Sequence, residues 1–218
     1  MDVKLTNIPI REALHFLGWK GSPLDEAVLG GVREMIALAV RYAEPRVTLL
    51  RRRIQADGEL EGTAFIPQGN DVREMLAHCH EGVLIAGTLG AQSERLLLRM
   101  QAQDAAKALL LDAALSAGIE AVMDAQEEAL RAQLQKEGLY LTDRFSPGYG
   151  DMPLTQTREI CDILHVQQSI GLTVSASGIM IPRKSVTAVM GISRSPLPCR
   201  PKGCAVCEMR NTCALSRG

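Results

Sequence analysis

One segment, residues 144–153 (RFSPGYGDMP), constrains the fold more than any other part of the chain. It holds two prolines and two glycines, and a helix-like pattern begins at Thr155 directly after it. Proline fixes φ at about −65° and has no N–H group to donate, whereas glycine allows positive φ and close approach of other groups. The composition therefore predicts a rigid, irregular loop with exposed peptide groups between two regular elements.

The loop also carries side chains suited to a small charged ligand. Arg144 offers a planar guanidinium that pairs with carboxylates, while Phe145 and Tyr149 offer rings for stacking. These residues favour a cradle for a zwitterionic or nucleotide-like molecule. On composition alone, an ordinary turn between two helices is the simpler interpretation, because glycine and proline are common in turns.

The loop resembles a known signature, the S-adenosylmethionine-binding motif of the reactivation domain of cobalamin-dependent methionine synthase. That motif reads R-x-x-P-G-Y-x-x-x-P and is followed by a helix; the matching residues here are Arg144, Pro147, Gly148, Tyr149 and Pro153. Residues 170–187 (IGLTVSASGIMIPRKSVT) resemble the family's second block, in which a Met-x-Pro turn precedes a Ser-Val-Ser/Thr strand. Residues 13–21 and 88–90 are similar to the opening segments of stand-alone versions. The chain thus resembles a stand-alone reactivation domain.

Length and composition indicate a single globular domain. Of the 218 residues, 46% are hydrophobic and 22% are charged, which is typical of a folded chain that buries a core. We expect a reactivation-domain-like domain over residues 1–195 and a cysteine-rich tail over residues 196–218.

Hydrophobic periodicity predicts an α+β fold. Helical patterns cover residues 10–18, 25–43, a short stretch that Asn70 caps and that ends near His80, 93–137 with a break near 101–104, and 155–164. Strand patterns cover residues 47–54 and 59–66, joined by a hairpin at Asp57-Gly58, then 83–86, and a hairpin-like pair at 172–177 and 185–192. Locally paired strands favour an antiparallel sheet with helices on one side. The resemblance implies the twisted antiparallel sheet, with helices packed on it, of a methionine synthase activation domain.

The resemblance also implies a binding site for S-adenosylmethionine. It assigns Arg144 to the carboxylate of the ligand, and the surroundings of the adenosyl group to Ser146, Pro147, Gly148 and Tyr149. Lys184 and Ser185 would lie on a neighbouring turn. A family glutamate on the preceding helix corresponds to Glu120 or to Glu128.

Two departures from the family pattern affect this site. Where the large multidomain enzymes have Pro-Ala-Cys-Pro after the tyrosine, this chain has residues 150–153, Gly-Asp-Met-Pro. Asp151 would either attract the sulfonium of the ligand or lie in the N-cap region of the next helix. An aromatic residue expected on the strand after the Met-x-Pro turn is replaced by Met190.

The function that the resemblance implies is the reactivation of a partner protein. Cob(II)alamin on a separately encoded methionine synthase would gain an electron and then a methyl group from S-adenosylmethionine. The chain would act as an accessory subunit, with a flavodoxin-type protein as a possible electron donor. Two alternatives stay open: a metal-binding electron-transfer or scaffold subunit without S-adenosylmethionine binding, and an activator of another corrinoid methyltransferase.

The tail is the second chemical feature of the sequence. Cys199, Cys204, Cys207 and Cys213 lie within fifteen residues, and four cysteines this close together in a reducing compartment favour metal binding. Four thiolates suit a 4Fe–4S cluster or zinc, and the spacing does not choose between them. The tail resembles cysteine motifs at the ends of some stand-alone reactivation proteins and corrinoid activators, which favours the cluster; absence of any metal is the third alternative.

Charge and hydropathy bound the partners and the compartment. The net charge is −1, so nothing indicates a nucleic-acid partner, although residues 183–218 carry seven Lys or Arg and one Glu. This cationic end suggests an anionic partner or a solvated tail. Charged residues interrupt the first twenty positions, and no apolar run approaches the roughly 18 residues that span a membrane. We expect a cytoplasmic protein.

Overall fold

The structure is a computed structural model that describes residues 3–21 and 23–197. In these ranges the chain forms an antiparallel sheet with helices on both faces. The helices are α1 (Ile10–Phe16), α2 (Glu26–Tyr42), α3 (Asn70–Leu76), α4 (Gly90–Gln103), α5 (Ala105–Lys136), α6 (Gln156–Ile163) and α7 (Val166–Ile170). The strands are β1 (Arg46–Arg53), β2 (Glu81–Thr88), β3 (Tyr140–Leu141), β4 (Thr173–Val174), β5 (Met180–Ile181) and β6 (Ser185–Ser193).

The main sheet has four strands in the order β1-β2-β6-β3, and each pair is antiparallel. The two long inner strands lie at its centre, with Thr88 of β2 opposite Ser185 of β6. Both strands are buried over nearly their whole length. A strand covered on both faces is apolar throughout rather than alternating, as the sequence GVLIAGT of β2 shows.

Two apolar cores lie on opposite faces of the sheet. Val83 and Ile85 of β2 join a core formed with α1, α2, α4 and α5. Leu84 and Ala86, which point the other way because side chains alternate along a strand, join a core formed with α3, α6 and α7. The α+β class and the antiparallel sheet are thus confirmed, but the expectation of helices on one side is wrong.

Residues 59–66 do not form the predicted strand. The turn at Asp57-Gly58 is present, but the segment after this turn makes only isolated bridges, Ile54 with Leu60 and Leu60 with Phe65. The chain bends here because Gly62 and Ala64 both have positive φ. β1 therefore pairs with β2, which comes 28 residues after it, instead of with its neighbour in sequence.

The predicted pairing of residues 172–177 with 185–192 is also wrong. A turn closes sooner, where Gly178 has a φ of 83° and its N–H donates to the carbonyl of Ser175. Thr173 consequently pairs with Ile181 in a separate two-stranded sheet, β4-β5. β6 is left to enter the main sheet beside β2.

The break in the long helical segment is confirmed. Asp104 has an extended backbone, with φ −152° and ψ 101°, and separates α4 from α5. Its carboxylate accepts a hydrogen bond of 3.0 Å from the backbone N–H of Lys107, which caps α5. α5 then runs for 32 residues along one face of the sheet. None of the helices in the described ranges is both long enough and apolar enough to cross a bilayer.

Candidate functional site

The 144–153 loop begins with a tight turn. The carbonyl of Ser146 accepts a hydrogen bond of 3.1 Å from the N–H of Tyr149, with Pro147 and Gly148 between them. Gly148 has a φ of 90°, and proline followed by a positive-φ glycine is the pattern of a type II turn. Met152, which is 2% exposed, fixes the loop to the core, and its carbonyl accepts from the N–H of Gly148 at 2.9 Å. These hydrogen bonds hold residues 146–152 in the irregular conformation that the sequence predicted.

The sheet determines where the first two side chains of the loop point. Phe145 exchanges backbone hydrogen bonds of 2.9 and 2.8 Å with Val189 of β6, so this part of the loop continues the sheet. Phe145 packs on the core of α3, α6 and α7, whereas Arg144 points to the opposite face and meets α5. Met190, which replaces the expected aromatic residue, is fully buried in the core that contains α5. Arg144 and Met190 therefore lie on the same side of the sheet.

Three carboxylates of α5 surround the guanidinium of Arg144. Its Nη2 atom lies 3.2 Å from Glu120 and 2.7 Å from Asp124, and its Nε atom lies 3.7 Å from Glu127. The side chain of Arg144 is only 13% exposed, and its Nη1 atom is buried without a hydrogen-bond partner among the described residues. A buried, unpaired donor is costly, so this atom is a candidate for contact with a ligand.

The acidic residues of this cluster differ in exposure. Glu120 is the helix glutamate that the structure brings to Arg144; Glu128, the other residue proposed for that position, is exposed, and no ion pair or hydrogen bond joins it to Arg144 in the described ranges. Burial raises the pKa of Glu120, Arg144 opposes this, and Asp124 adds to it. Asp124 is 71% exposed, so its carboxylate is the least costly of the three to move away from Arg144.

Sequence reasoning missed Asp124 and Glu127. The signal was present, because residues 120, 124 and 127 are spaced by four and three and therefore share one face of a helix. Reading that face toward the N-terminus adds Ser116 and Asp112. We call these five residues the α5 polar stripe.

Lys184 and Ser185 lie where β6 begins, whereas the loop pairs with this strand farther on, at Val189. The ammonium of Lys184 contacts the other end of the α5 polar stripe, at 2.7 Å from the hydroxyl of Ser116 and 2.8 Å from the carboxylate of Asp112. Ser185 is 8% exposed and hydrogen-bonds to the hydroxyl of Thr88 at 2.9 Å. Val189 follows Ser185 by four residues, which is about 13 Å along a strand. Lys184 and Arg144 thus contact the two ends of one stripe, whereas Ser185 is occupied within the sheet.

Asp151 does not cap the helix that follows it. Its two carboxylate oxygens accept hydrogen bonds from the backbone N–H groups of Asn70 (2.6 Å) and Asp71 (3.1 Å), at the N-terminus of α3. These two bonds lower the pKa of Asp151. The N-cap position of α3 belongs to Gly69, not to Asn70 as predicted. Asp151 therefore accepts hydrogen bonds at a helix N-terminus, as one of the two interpretations expected, but the helix is α3 and not α6.

Gln156 forms a second link between the same two parts of the chain. It is fully buried; its Oε1 atom accepts from the N–H of Gln68 at 2.8 Å, and its Nε2 atom donates to the carbonyl of Ile66 at 3.0 Å. Residues 66–71 are thereby tied to the loop and to the start of α6.

Removing the Gln156 link should lower stability. Gln156→Leu keeps a similar volume but leaves two backbone groups without their partner, so we expect a loss of about 1–3 kcal/mol in the free energy of unfolding. Urea denaturation measures it. The exposed Gln168 of α7 provides the control, since Gln168→Leu should change stability by less than about 0.5 kcal/mol. Equal stability of the two variants would contradict this role of Gln156.

Cysteines in the described ranges do not form a metal site. Cys161 is 2% exposed in α6, and burial raises its pKa to about 11, so the thiol is neutral near pH 7. Cys79 is half-buried after α3. Among the described residues, no group of three or more His, Cys, Asp or Glu side chains could hold a metal ion. The predicted ligands Cys199, Cys204, Cys207 and Cys213 lie outside the described residues.

A cleft of about 800 Å³ lies away from the loop. The N-terminal segment, the end of α2, the start of β1 and α7 line it, with Lys4, Glu44 and Arg46 as its charged residues. None of the predicted ligand residues takes part in this lining.

Comparison with known proteins supports the fold. No protein-family model matches the sequence, and no curated protein matches it. Among solved structures, the chain is similar to the MetH reactivation domain in a crystal structure with AdoHcy bound. The TM-score is 0.57 and the sequence identity 17%, over 87% of this chain and 80% of that one. This likeness confirms the expected α+β, activation-domain-like fold and the resemblance to reactivation domains that the loop motif indicated.

Proposed function

We propose that this protein binds S-adenosylmethionine at the 144–153 loop and supports reductive methylation of cob(II)alamin on a separately encoded, cobalamin-dependent methionine synthase. The observation that carries the proposal is the position of Arg144. In a fold like that of a reactivation domain known with AdoHcy bound, the arginine of the loop motif is directed at α5, with one buried nitrogen unpaired among the described residues.

The charges around Arg144 suit the ligand. S-adenosylmethionine carries one carboxylate and two cationic groups, the ammonium and the sulfonium. The cluster offers the guanidinium of Arg144 and the carboxylates of Glu120 and Asp124, whereas Glu127 is already paired with Arg131 at 2.7 Å. Glu120 and Asp124 therefore provide negative charge for the two cations of the ligand. The carboxylate of the ligand would replace the exposed Asp124 on Arg144, and Asp124 would then be available to the ammonium.

The other predicted residues act by shape or by indirect support. Ser146, Pro147 and Gly148 build the type II turn, and Tyr149, at 69% exposed, presents its ring for contact with the adenosyl group. Lys184 supports the site through the α5 polar stripe. Ser185, held by Thr88, supports the strand that follows Lys184.

The reaction determines the contribution that the protein must make. One electron, from a flavodoxin-type donor or from the tail, reduces the cobalt of the partner, and S-adenosylmethionine transfers its methyl group to it, leaving S-adenosylhomocysteine. Holding the methyl donor in line with the cobalt replaces an improbable encounter of separate molecules. The role of this chain is therefore to bind and orient, and its partner is a cobalamin protein.

The domain division and the tail belong to the same proposal. Residues 1–195 form the binding domain, and residues 196–218 carry Cys199, Cys204, Cys207 and Cys213 as ligands of a 4Fe–4S cluster, with zinc as the alternative. β6, the strand beside Phe145, leads directly into this tail.

Reactivation of a partner tests the proposed function. A methionine synthase that lacks its own reactivation domain should regain methylcobalamin from its cob(II)alamin form when this protein, S-adenosylmethionine and a reductant are all present. Docking through the cationic residues 183–218 should weaken as salt rises, because exposed charges are screened beyond about 8 Å at physiological ionic strength. The absorption spectrum of the cobalamin reports the conversion.

The controls separate the alternatives. Full reactivation without this protein would show that the proposed function is wrong. If calorimetry detects binding of S-adenosylmethionine but methionine synthase is not reactivated, the partner is a different corrinoid protein. Absence of any binding would favour a scaffold or electron-transfer subunit that uses only the tail.

A further inference from the structure

We propose that Asp151 is a positioning residue: by binding the N-terminus of α3, its carboxylate orders the 144–153 loop and so raises affinity for S-adenosylmethionine. The inference rests on the proposed function and assigns a role to a residue at which the chain departs from the family motif. Asp151 itself does not need to contact the ligand.

The geometry of the contact is that of a clamp. Both carboxylate oxygens of Asp151 are used, one on each of the adjacent N–H groups of Asn70 and Asp71. The two segments lie 80 residues apart in the sequence, so the bonds join separate parts of the fold. Gln156 repeats the link two residues upstream of α3, at Gln68. We call the contacts of Asp151 and Gln156 with residues 66–71 the loop clamp.

Glycines on both sides permit this close approach. A Cβ atom on Gly69 would lie 3.0 Å from the backbone carbonyl oxygen of Asp151, and one on Gly150 would overlap the carboxylate of Asp71. Gly69 and Gly150 also have positive φ values, of 111° and 49°. Glycine at both positions therefore allows the two backbones to approach closely, and the positive φ at each position also favours glycine.

The clamp acts at the point where the binding turn closes. The N–H of Met152, the next residue, donates to the carbonyl of Tyr149 at 3.1 Å, and its carbonyl accepts from Gly148. Asp151 thus lies within residues 148–152, the part of the loop that these two hydrogen bonds close. A loop ordered before the ligand arrives binds more tightly, because the apparent affinity falls with the fraction of molecules in the competent shape.

Asp151→Asn tests the clamp. Asparagine has one acceptor oxygen, and its NH₂ group would face the second backbone N–H, donor against donor. We expect the affinity for S-adenosylmethionine, measured by calorimetry, to fall about tenfold. Asp25→Asn is the matched control, because the carboxylate of Asp25 accepts one hydrogen bond of 3.0 Å from the backbone N–H of Ala27 and so caps α2, a different helix. It should leave the affinity unchanged.

Amide hydrogen exchange of the ligand-free protein gives an independent measurement. In Asp151→Asn, the amides of Asn70 and Asp71 should exchange faster, and so should those of Gly148 and Met152 in the loop, each by about tenfold. Faster exchange at α3 alone, with the loop unchanged, would overturn the proposal, because Asp151 would then only cap a helix. Weaker binding with unchanged loop exchange would overturn it too, since it would indicate direct contact with the ligand.

The proposed function can fail separately from the clamp. If the wild-type protein does not bind S-adenosylmethionine, the proposed function is wrong, whereas exchange at Gly148 and Met152 still supports or overturns the ordering of the loop by Asp151.

Discussion

Arg144→Ala should weaken the binding of S-adenosylmethionine by about ten- to a hundredfold. A hydrogen bond to a charged group contributes roughly 1.5–3 kcal/mol, which corresponds to that range of dissociation constants. The buried Nη1 atom has no partner among the described residues, so contact with a ligand carboxylate would satisfy it. Isothermal titration calorimetry of the two proteins measures the difference.

The surroundings of Arg144 sharpen this expectation. Alanine leaves Glu120 and Asp124 without a cation, while Glu127 keeps its ion pair with Arg131, and the two unpaired carboxylates repel each other and a carboxylate ligand. Arg144→Lys should recover little, because an ammonium lacks the planar fork that binds several oxygens at once.

A matched variant excludes a general effect of lost charge. Arg33 of α2 pairs with Glu26 at 3.0 Å, but its side chain is 60% exposed, and in the described part of the chain it forms no ion pair or hydrogen bond with the loop or α5. Arg33→Ala should bind S-adenosylmethionine as the wild type does. If Arg144→Ala retained full affinity, the assignment of this residue would be wrong, although the fold would be unaffected.

Local signals in the sequence predicted the elements well. The break at Asp104, the turn-forming loop and the buried strand β2 each depend on neighbouring residues: a capping carboxylate, proline with glycine, and an apolar run. The same holds for α1, α2 and α6, whose periodicity is regular.

Pairing between strands was predicted less well, because it depends on distant segments. The Asp57-Gly58 turn indicated a hairpin, yet β1 has its partner in β2, where apolar residues can be buried on both faces of the sheet. The short turn at Gly178 likewise ended one hairpin early and left β6 for the central sheet. Burial of apolar surface decided between these alternatives, and a local pattern does not show it.

The candidate site divides in the same way. The motif predicted the turn, and its assignment of Arg144 to the ligand stays a prediction. The contact of Asp151 with α3 joins residues 80 positions apart, and no spacing rule indicates it. Glu127 and Asp124 were within reach of sequence reasoning, since helical spacing places them beside Glu120. Prediction from the sequence failed where a contact joins residues that lie far apart in the chain.

The tail should hold a metal, and loss of this metal should have the largest effect of the changes considered. Anaerobically purified protein with a 4Fe–4S cluster should be brown and contain about four irons per chain, whereas a zinc site should be colourless with about one zinc. Cys207→Ser removes one of four proposed thiolates and should release nearly all of the metal. Metal analysis and the absorption spectrum measure it, and Cys79→Ser, which changes a half-buried cysteine outside the tail, should keep it.

The effect of Cys207→Ser on function distinguishes the two metals. An iron–sulfur cluster has one-electron redox chemistry to offer and zinc has none, so only loss of a cluster should abolish reactivation. S-adenosylmethionine binding should persist in either case, because the residues proposed to bind it lie outside the tail. With zinc, the same variant should mainly lower stability, and reactivation should continue with an external donor. Protein without any metal, even when purified anaerobically, would remove the tail from the proposed function.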